Sequence, residues 1–376
     1  MDRQVYIKGG LRTPIGVVHG QYKEILPEVL GSRILNQLRH AYRLESVDSV
    51  ICGNATGTGG NIGRLMTLMS RFPDTVPAMT VDTQCASGGM SVAWAYAQIK
   101  AGISHTVIAG GIESASLQPK RSYAALDRRE GDYYVAQFSP HEISSDAMLW
   151  GAERTIKKHA VSDEEMKYHV LRSHRLAQEA KEKRVLEPYV LPVIVHQRYC
   201  IDECIRKTMS ASLLNRMKPI LGEGTQVTAG NACLTHDGAA FLVVTDTPSE
   251  FRIAHIESWA GNPLYSPEGA WLSTELLLNR TQLSMDDIDV IEWNEAFAVI
   301  DVLFARTYPN QLDKYNRLGG ALAYGHPYGA SGAIILLHAM AALQACQGKY
   351  AICAIAGAGG TGVAILLERM EQISIL

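Results

Sequence analysis

Two stretches of this chain carry the same pattern. Gln84 to Ser116 and Tyr328 to Ala364 each open on a small-residue turn containing Ala-Ser-Gly (Ala86 to Gly88, Ala330 to Gly332) and run through an Ala-rich apolar helix. Each then reaches a glycine at a helix end (Gly102, Gly348), enters an apolar strand (His105 to Ala109, Tyr350 to Ala356) and finishes in a glycine cluster (Gly110-Gly111, Gly357 to Gly360). The period is far longer than that of a solenoid repeat, so two similar α/β domains packed together account for it better than an array.

Further strands are expected at Val47 to Cys52, Phe241 to Thr245, Ile253 to Trp259 and Val290 to Glu292. They alternate with helical patterns at Ile25 to Leu38, Trp271 to Leu278 and Ala298 to Tyr308. This alternation predicts mostly parallel sheets with helices on both faces. Between Gln118 and Gln226 the texture changes to charged helices and irregular segments, as expected of an insertion that covers the domain pair. The domain reading is an N-terminal half at 1–117 completed by 227–250, a cover domain at 118–226, and a C-terminal half at 251–376.

A chain of 376 residues with a net charge of -3 has neither the composition of a disordered segment nor a basic field for nucleic acid. Lys181 to Arg184, with Glu179 and Glu182, reads as a solvated helix face. The seven cysteines are scattered in a chain too long to need disulfides, which predicts a reducing, cytoplasmic setting. Cys200 and Cys204 lack a second ligand pair, so no metal is expected. The chain runs from Met1 directly into a strand at Val5-Tyr6-Ile7, leaving no room for a signal peptide, and no stretch reads as an uninterrupted membrane span.

Cys85 lies in Thr83-Gln84-Cys85-Ala86-Ser87-Gly88-Gly89, just before an expected helix from Met90 to Ile99. A helix N-terminus favours negative charge and lowers a thiol's pKa, which suits a nucleophile. The alternative is a buried structural cysteine behaving as a small hydrophobe. Four other motifs bear on the choice: Ala109-Gly110-Gly111-Ile112-Glu113-Ser114, Asn294-Glu295-Ala296-Phe297-Ala298, Gly325-His326-Pro327-Tyr328-Gly329-Ala330-Ser331-Gly332, and Gly357-Ala358-Gly359-Gly360-Thr361-Gly362. Taken singly, Asn294 could cap a helix and His326 could fill a Gly-Pro turn. Gly357-x-Gly359-x-x-Gly362 matches a dinucleotide fingerprint literally, but lies too near Leu376 for the helix, strand and acidic residue that such a site requires.

In combination these motifs resemble the thiolase family, and the resemblance runs from Arg12-Thr13-Pro14-Ile15-Gly16 to the last strand. It implies a duplicated five-layered α-β-α-β-α fold with an inserted loop domain, assembled as a homodimer or homotetramer. It also implies an acyltransferase of fatty acid metabolism, an acetyl-CoA C-acetyltransferase or 3-ketoacyl-CoA thiolase, with a coenzyme A thioester as substrate and no other cofactor. By the same resemblance Cys85 is acylated, His326 takes its proton, and Asn294 holds a water that completes one oxyanion site with His326. The other oxyanion site uses the backbone N–H groups of Cys85 and Ala358. Thr228-Ala229-Gly230-Asn231-Ala232 and Asp237-Gly238-Ala239-Ala240 resemble the stretch beside the pantetheine arm, so Ala232, Cys233 and His236 are expected to meet substrate. Trp150 is expected at the acyl pocket, and Arg216 and Lys218 are candidates near the phosphates.

The chain departs from the family at several positions. Thiolases carry a second, acid/base cysteine in a Cys-x-Gly-Gly-Gly run, and the register of Gly359-Gly360-x-Gly362 puts Ala356 there. Cys353 is nearby, but an offset of three on a strand turns it to the opposite face. Cys233 and His236 stand where many members have serine and asparagine, and Leu149-Trp150-Gly151 replaces His-Met-Gly. The surviving Cys85, His326, Asn294 set is also the one used by decarboxylative ketoacyl synthases, so that chemistry, acyl transfer to another nucleophile, and a non-catalytic binder of coenzyme A esters stand as alternatives.

Overall fold

The computed structural model describes residues 3–57, 59–140, 146–233 and 236–370. The outer ends of the two sequence-assigned halves, 1–2 and 371–376, lie outside the described residues. The strands are β1 (Tyr6–Arg12), β2 (Gly16–Val17), β3 (Ser49–Gly53), β4 (Ala78–Val81), β5 (Thr106–Ser114), β6 (Arg121–Ser122), β7 (Asp132–Tyr133), β8 (Ile194–Val195), β9 (Arg198–Tyr199), β10 (His236–Thr245), β11 (Phe251–Ala260), β12 (Val290–Trp293), β13 (Tyr350–Gly357) and β14 (Thr361–Arg369). The helices are α1 (Pro27–Ala41), α2 (Ile62–Met69), α3 (Ser87–Lys100), α4 (Ala147–Lys158), α5 (Asp163–Glu182), α6 (Ala211–Leu214), α7 (Gly269–Thr281), α8 (Ala298–Thr307), α9 (Ala321–Tyr324) and α10 (Tyr328–Cys346).

Ten strands form one hydrogen-bonded sheet, nine of them in the order β12-β13-β14-β11-β1-β10-β5-β3-β4 and the tenth, β2, on β10. Read outward from the β1/β11 junction, the order is the same in both directions: β10, β5, β3 on one side and β14, β13, β12 on the other. The repeat seen in the sequence, helix then strand, corresponds to α3–β5 and α10–β13. The junction itself is short, with Tyr6 opposite Arg252 and Ile7 opposite Phe251.

The sheets are mixed rather than mostly parallel, which corrects the sequence expectation. β3 runs parallel to β4 and β5, and β12 runs parallel to β13. The pairs β5/β10, β1/β10, β1/β11, β11/β14 and β13/β14 are antiparallel. A parallel neighbour requires a crossover connection. β14 follows β13 through a tight turn in which Gly359 (φ +88) and Gly360 (φ +74) are left-handed, so it can only return alongside. This hairpin also disposes of the dinucleotide reading, because the glycine run leads into a strand and not a helix. The first glycine pair, Gly110-Gly111, does not end its strand either; β5 continues to Ser114.

Three apolar clusters fill the layers. The central one joins Val92, Ala95 and Ile99 of α3 to Ala333, Leu336 and Leu337 of α10, with β5, β10, β13 and β14 side chains on either side. The outer clusters pack α1 and α2 on the N-terminal half, and α7 and α8 on the C-terminal half. The result is helix, sheet, helix pair, sheet, helix. In length and apolar content α10 would suffice to cross a membrane, which the sequence reading did not anticipate, but 83% of its apolar window is buried inside the protein. It is apolar on every side because it faces both sheets.

The Ala-Ser-Gly turns have a packing role. A Cβ on Gly332 would sit 2.1 Å from the Gly89 nitrogen, and one on Gly88 would sit 2.7 Å from the Gly329 oxygen. The N-terminal turns of α3 and α10 therefore touch backbone to backbone. Gly332→Ala forces these turns apart, and chemical denaturation of the variant is expected to show a loss of about 1–3 kcal/mol. Unchanged stability would mean that the helices separate at no cost.

Candidate active site

Contact between the two helix N-termini brings together residues far apart in the sequence. Chain direction reverses sharply after β4: Asp82 accepts from the Gln84 N–H at 2.8 Å, Gln84 is left-handed (φ 55), and Cys85 follows immediately before the Ala86 cap of α3. A strained strand-to-helix turn of this kind holds a nucleophile out from the backbone. Ser87 fixes the turn, donating to the Gln84 carbonyl at 2.6 Å and accepting from the Thr83 N–H at 2.9 Å.

His326 sits in the corresponding turn before α10. Its Nδ1 is 2.6 Å from Ser331 Oγ, and that hydroxyl donates to the Pro327 carbonyl at 3.2 Å. With its one proton so committed, Ser331 accepts from Nδ1–H, leaving the Nε2 lone pair available. The Asn294 amide nitrogen lies 3.5 Å from each ring nitrogen of His326. Asn294 directly follows β12, where its N–H bonds the Ala354 carbonyl, and the cap of α8 is Phe297. The helix-cap alternative for Asn294 is therefore wrong: the residue faces the histidine.

Cys85, His326, Cys233, Tyr328 and Ala358 line one cavity of about 310 Å³, together with Gln84, Val135, Phe138, Asp146, Met148, Leu149, Ala296 and Phe297. The Cys85 sulfur is within hydrogen-bonding reach of the backbone N–H groups of Cys85 and Ala358. Ala358 reaches it because the β13–β14 turn passes close to the nucleophile turn. A Cβ on Gly357 would meet the Thr83 carbonyl at 3.0 Å and the Ala86 side chain at 3.2 Å.

The electrostatics oppose the sequence expectation for the thiol. Burial pushes Cys85 up to about 12, the Glu113 carboxylate adds to the rise, and the two N–H groups only partly offset it. The helix terminus does not win, because Cys85 is 7% exposed and loses hydration it cannot replace. Burial first, and His236 second, push His326 down to about 3. Burial thus favours the neutral form of both groups.

The remaining sequence candidates divide. Ala232, Cys233 and His236 line a second cavity of about 270 Å³ with Arg206, Met209, Met217 and Leu322, and Cys233 belongs to the walls of both cavities. Cys233 Sγ lies 3.1 Å from the Glu295 carbonyl and 3.0 Å from the Ala321 carbonyl. His236 is pushed down to about 4 by burial, and Gly325 leaves room for it, since a Cβ there would meet its ring at 2.6 Å. Arg216 and Lys218 are exposed on either side of Met217. Trp150 is not among the residues lining either cavity; Met148 and Leu149 of α4 take that place, since each helical residue turns the side chain by about 100°. Cys353 packs in the central cluster and Ala356 in the outer one, on opposite faces of β13 as the offset of three requires. No group of metal-ligating side chains occurs among the described residues.

Glu113 was quoted in a motif but given no role. Its carboxylate accepts from Asn54 Nδ2 (2.9 Å), the N–H groups of Ala55 (2.9 Å), Thr56 (3.2 Å) and Gly329 (3.0 Å), and Thr56 Oγ1 (2.6 Å). It ties β5 to the first turn of α10. Glu295 plays the counterpart in the other half, accepting from Ser173, Asn316 and the Leu322 N–H. The signal for both was available: a carboxylate inside an apolar or small-residue run is buried and must be fully hydrogen-bonded.

The alkylation rate of Cys85 by iodoacetamide should rise about tenfold per pH unit from pH 7 to 10, because the raised pKa keeps the thiolate fraction far from saturation. A plateau below pH 8 would show that the thiolate is already stabilised in the free protein.

Comparison with known proteins places these features in context. The thiolase N-terminal domain family model matches residues 5–247, and the thiolase C-terminal domain model matches residues 250–369. A Staphylococcus aureus protein named "Putative acetyl-CoA C-acetyltransferase VraB" is 33% identical over 350 residues, covering 88% of this chain and 90% of that protein. The protein of the same name in Staphylococcus epidermidis is 31% identical over 382 residues, covering 98% and 99%. Among solved structures, the Bacillus anthracis acetyl-CoA acetyltransferase superposes with a TM-score of 0.91 at 28% identity, covering 98% of this chain and 99% of its own. Human mitochondrial 3-ketoacyl-CoA thiolase superposes with a TM-score of 0.89 at 26% identity, with the same coverage.

Proposed function

Because this chain belongs to the thiolase family, whose N- and C-terminal domain models together match residues 5–247 and 250–369, we propose that it transfers acyl groups to and from coenzyme A through an acyl-Cys85 intermediate, as an acetyl-CoA C-acetyltransferase or 3-ketoacyl-CoA thiolase. The observation that carries the reading is the meeting of Cys85 and His326, one from each half of the chain, in a single mainly apolar cavity with two backbone N–H groups directed at the sulfur.

In this mechanism His326 Nε2 takes the Cys85 proton as the sulfur attacks the acyl carbonyl. Oxygen becomes negative during attack, and the N–H groups of Cys85 and Ala358, already oriented, stabilise it; losing one such donor typically costs about 3 kcal/mol. His326, charged only after it has taken the proton, returns it when the acyl group leaves. Asn294 beside the ring holds a water that serves the second oxyanion site. The outer cavity, reaching the reaction cavity through Cys233, takes the pantetheine arm past Ala232 and His236, and Arg206, Arg216 and Lys218 attract the phosphates from its rim.

Two further expectations belong to this reading. β4 is one of the two end strands of the sheet, and Met79 on it, Leu65, Leu68 and Met69 on α2, and Trp94 on α3 are all exposed large apolar side chains. A second copy pairing along this edge would cover them and give a homodimer. The seven cysteines are all unpaired, which fits a reducing cytoplasm. A decarboxylative condensing reaction is the second reading, favoured by Ala356, because loss of carbon dioxide needs no group to abstract an α-proton.

The test is thiolysis of acetoacetyl-CoA and of 3-ketooctanoyl-CoA, with Cys85→Ser as control. Turnover lost in the control is the expected result. Absence of turnover with both substrates, while acetyl-CoA still labels Cys85, would replace thiolysis by decarboxylative condensation; no labelling of Cys85 would leave only a binding role. For assembly, light scattering is expected to give twice the chain mass, falling to one in Met79→Lys with Trp94→Asp. A monomeric parent chain would refute pairing at β4.

A further inference from the structure

Ala356 leaves the proposed carbon–carbon chemistry without a proton carrier, and the cavity holds a candidate at a position that the sequence motif did not single out. Tyr328 is the first residue of α10, two after His326, and it lines the cavity with Cys85, His326, Cys233 and Ala358. Its ring packs edge-on against the His326 ring, with centroids 5.0 Å apart and planes at 81°. The next residue, Gly329, is tied by its N–H to Glu113 at 3.0 Å, so the turn that carries Tyr328 is rigid. Cys85, Glu113 and Cys233 are the ionisable groups whose charge acts on the phenol, and burial together with these three raises its pKa. A phenol in that setting keeps its proton until a stronger base appears beside it.

The other proton carriers in the cavity are less suitable. Cys233 points its sulfur at two carbonyl oxygens, 3.0 and 3.1 Å away, which hold it as a thiol and oppose its ionisation. Cys353 lies on the wrong face of β13, and His326 is occupied by the Cys85 proton during the step. Asp146 is exposed, at the N-terminus of α4.

We propose that the Tyr328 hydroxyl is the acid/base of the carbon–carbon step, a catalytic residue standing in for the cysteine that Ala356 replaces. This rests on the thiolysis reading above. In the first half-reaction Cys85 sulfur bonds to C3 of a 3-ketoacyl-CoA and the C2–C3 bond breaks. The electron pair left on C2 takes the Tyr328 O–H proton, releasing acetyl-CoA and leaving the phenolate. In the second half-reaction coenzyme A gives its thiol proton to that phenolate, and its sulfur bonds to the acyl carbon as the bond to Cys85 breaks. Cys85 recovers its proton from His326, and the enzyme returns to its starting state.

The same group must act in reverse on acetyl-CoA, taking a proton from its methyl carbon. The test is therefore deuterium uptake into the methyl group of acetyl-CoA in D₂O, measured beside thiolysis and beside labelling of Cys85 by acetyl-CoA, for the wild type, Tyr328→Phe and Asp146→Asn. In Tyr328→Phe, exchange and thiolysis should both fall about 10²–10⁴-fold while Cys85 labelling stays within a few-fold, which a merely misfolded site would not allow. Wild-type rates of exchange in Tyr328→Phe, or loss confined to Asp146→Asn, would overturn the assignment. Wild-type protein that labels at Cys85 yet shows neither exchange nor thiolysis would instead overturn the thiolysis reading, and the role of Tyr328 with it.

Discussion

Backbone contact between the first turns of α3 and α10 is the constraint on which the site depends. Each turn brings one side chain to the shared cavity, Cys85 from the first and His326 from the second. Glycine at 88 and 332 allows a separation that any side chain would prevent. Glu113 then locks the contact, because its carboxylate binds the loop after β3 and the Gly329 N–H together. The apolar helices between the sheets supply the burial that makes so close an approach stable.

That burial sets the electrical state of the site. Excluding water raises the thiol and lowers the imidazole, so the resting protein holds a neutral pair where a more open site would hold ions. The two backbone N–H groups beside the sulfur, those of Cys85 and Ala358, are fixed by the Gln84 turn and the β13–β14 hairpin.

The sequence carried much of this. The repeat predicted paired α/β halves, and the strand order is symmetric about β1/β11 because of it. Most helices and strands lie within a few residues of their expected positions, since apolar periodicity reports on the faces that pack. Strand direction departs from the expectation because alternation of strand and helix says nothing about the antiparallel returns of β10, after the insertion, and of β14, through a hairpin. Cys85, His326 and Asn294 were legible from motifs, but the raised thiol was not, because a helix terminus is a local feature and desolvation a tertiary one. Trp150 was displaced by Leu149 and Met148 for a similar reason: the sequence shows which residues share a helix, not which of its faces meets the cavity. Tyr328 was hidden inside a motif whose histidine attracted the attention.

The symmetric strand order has a consequence for how the two halves divided their labour. Aligning Ala86-Ser87-Gly88 with Ala330-Ser331-Gly332 sets Cys85 opposite Gly329 and makes Ser87 the counterpart of Ser331. Both serines steady the turn before their own helix, Ser87 by holding its backbone and Ser331 by holding both its backbone and the histidine. At the point where the helices cross, a second thiol has no space, since a Cβ on Gly329 would fall 2.7 Å from the Asn54 Cα. The duplicated backbone thus admits one thiol at this crossing, and bare glycine backbone stands where its twin would be.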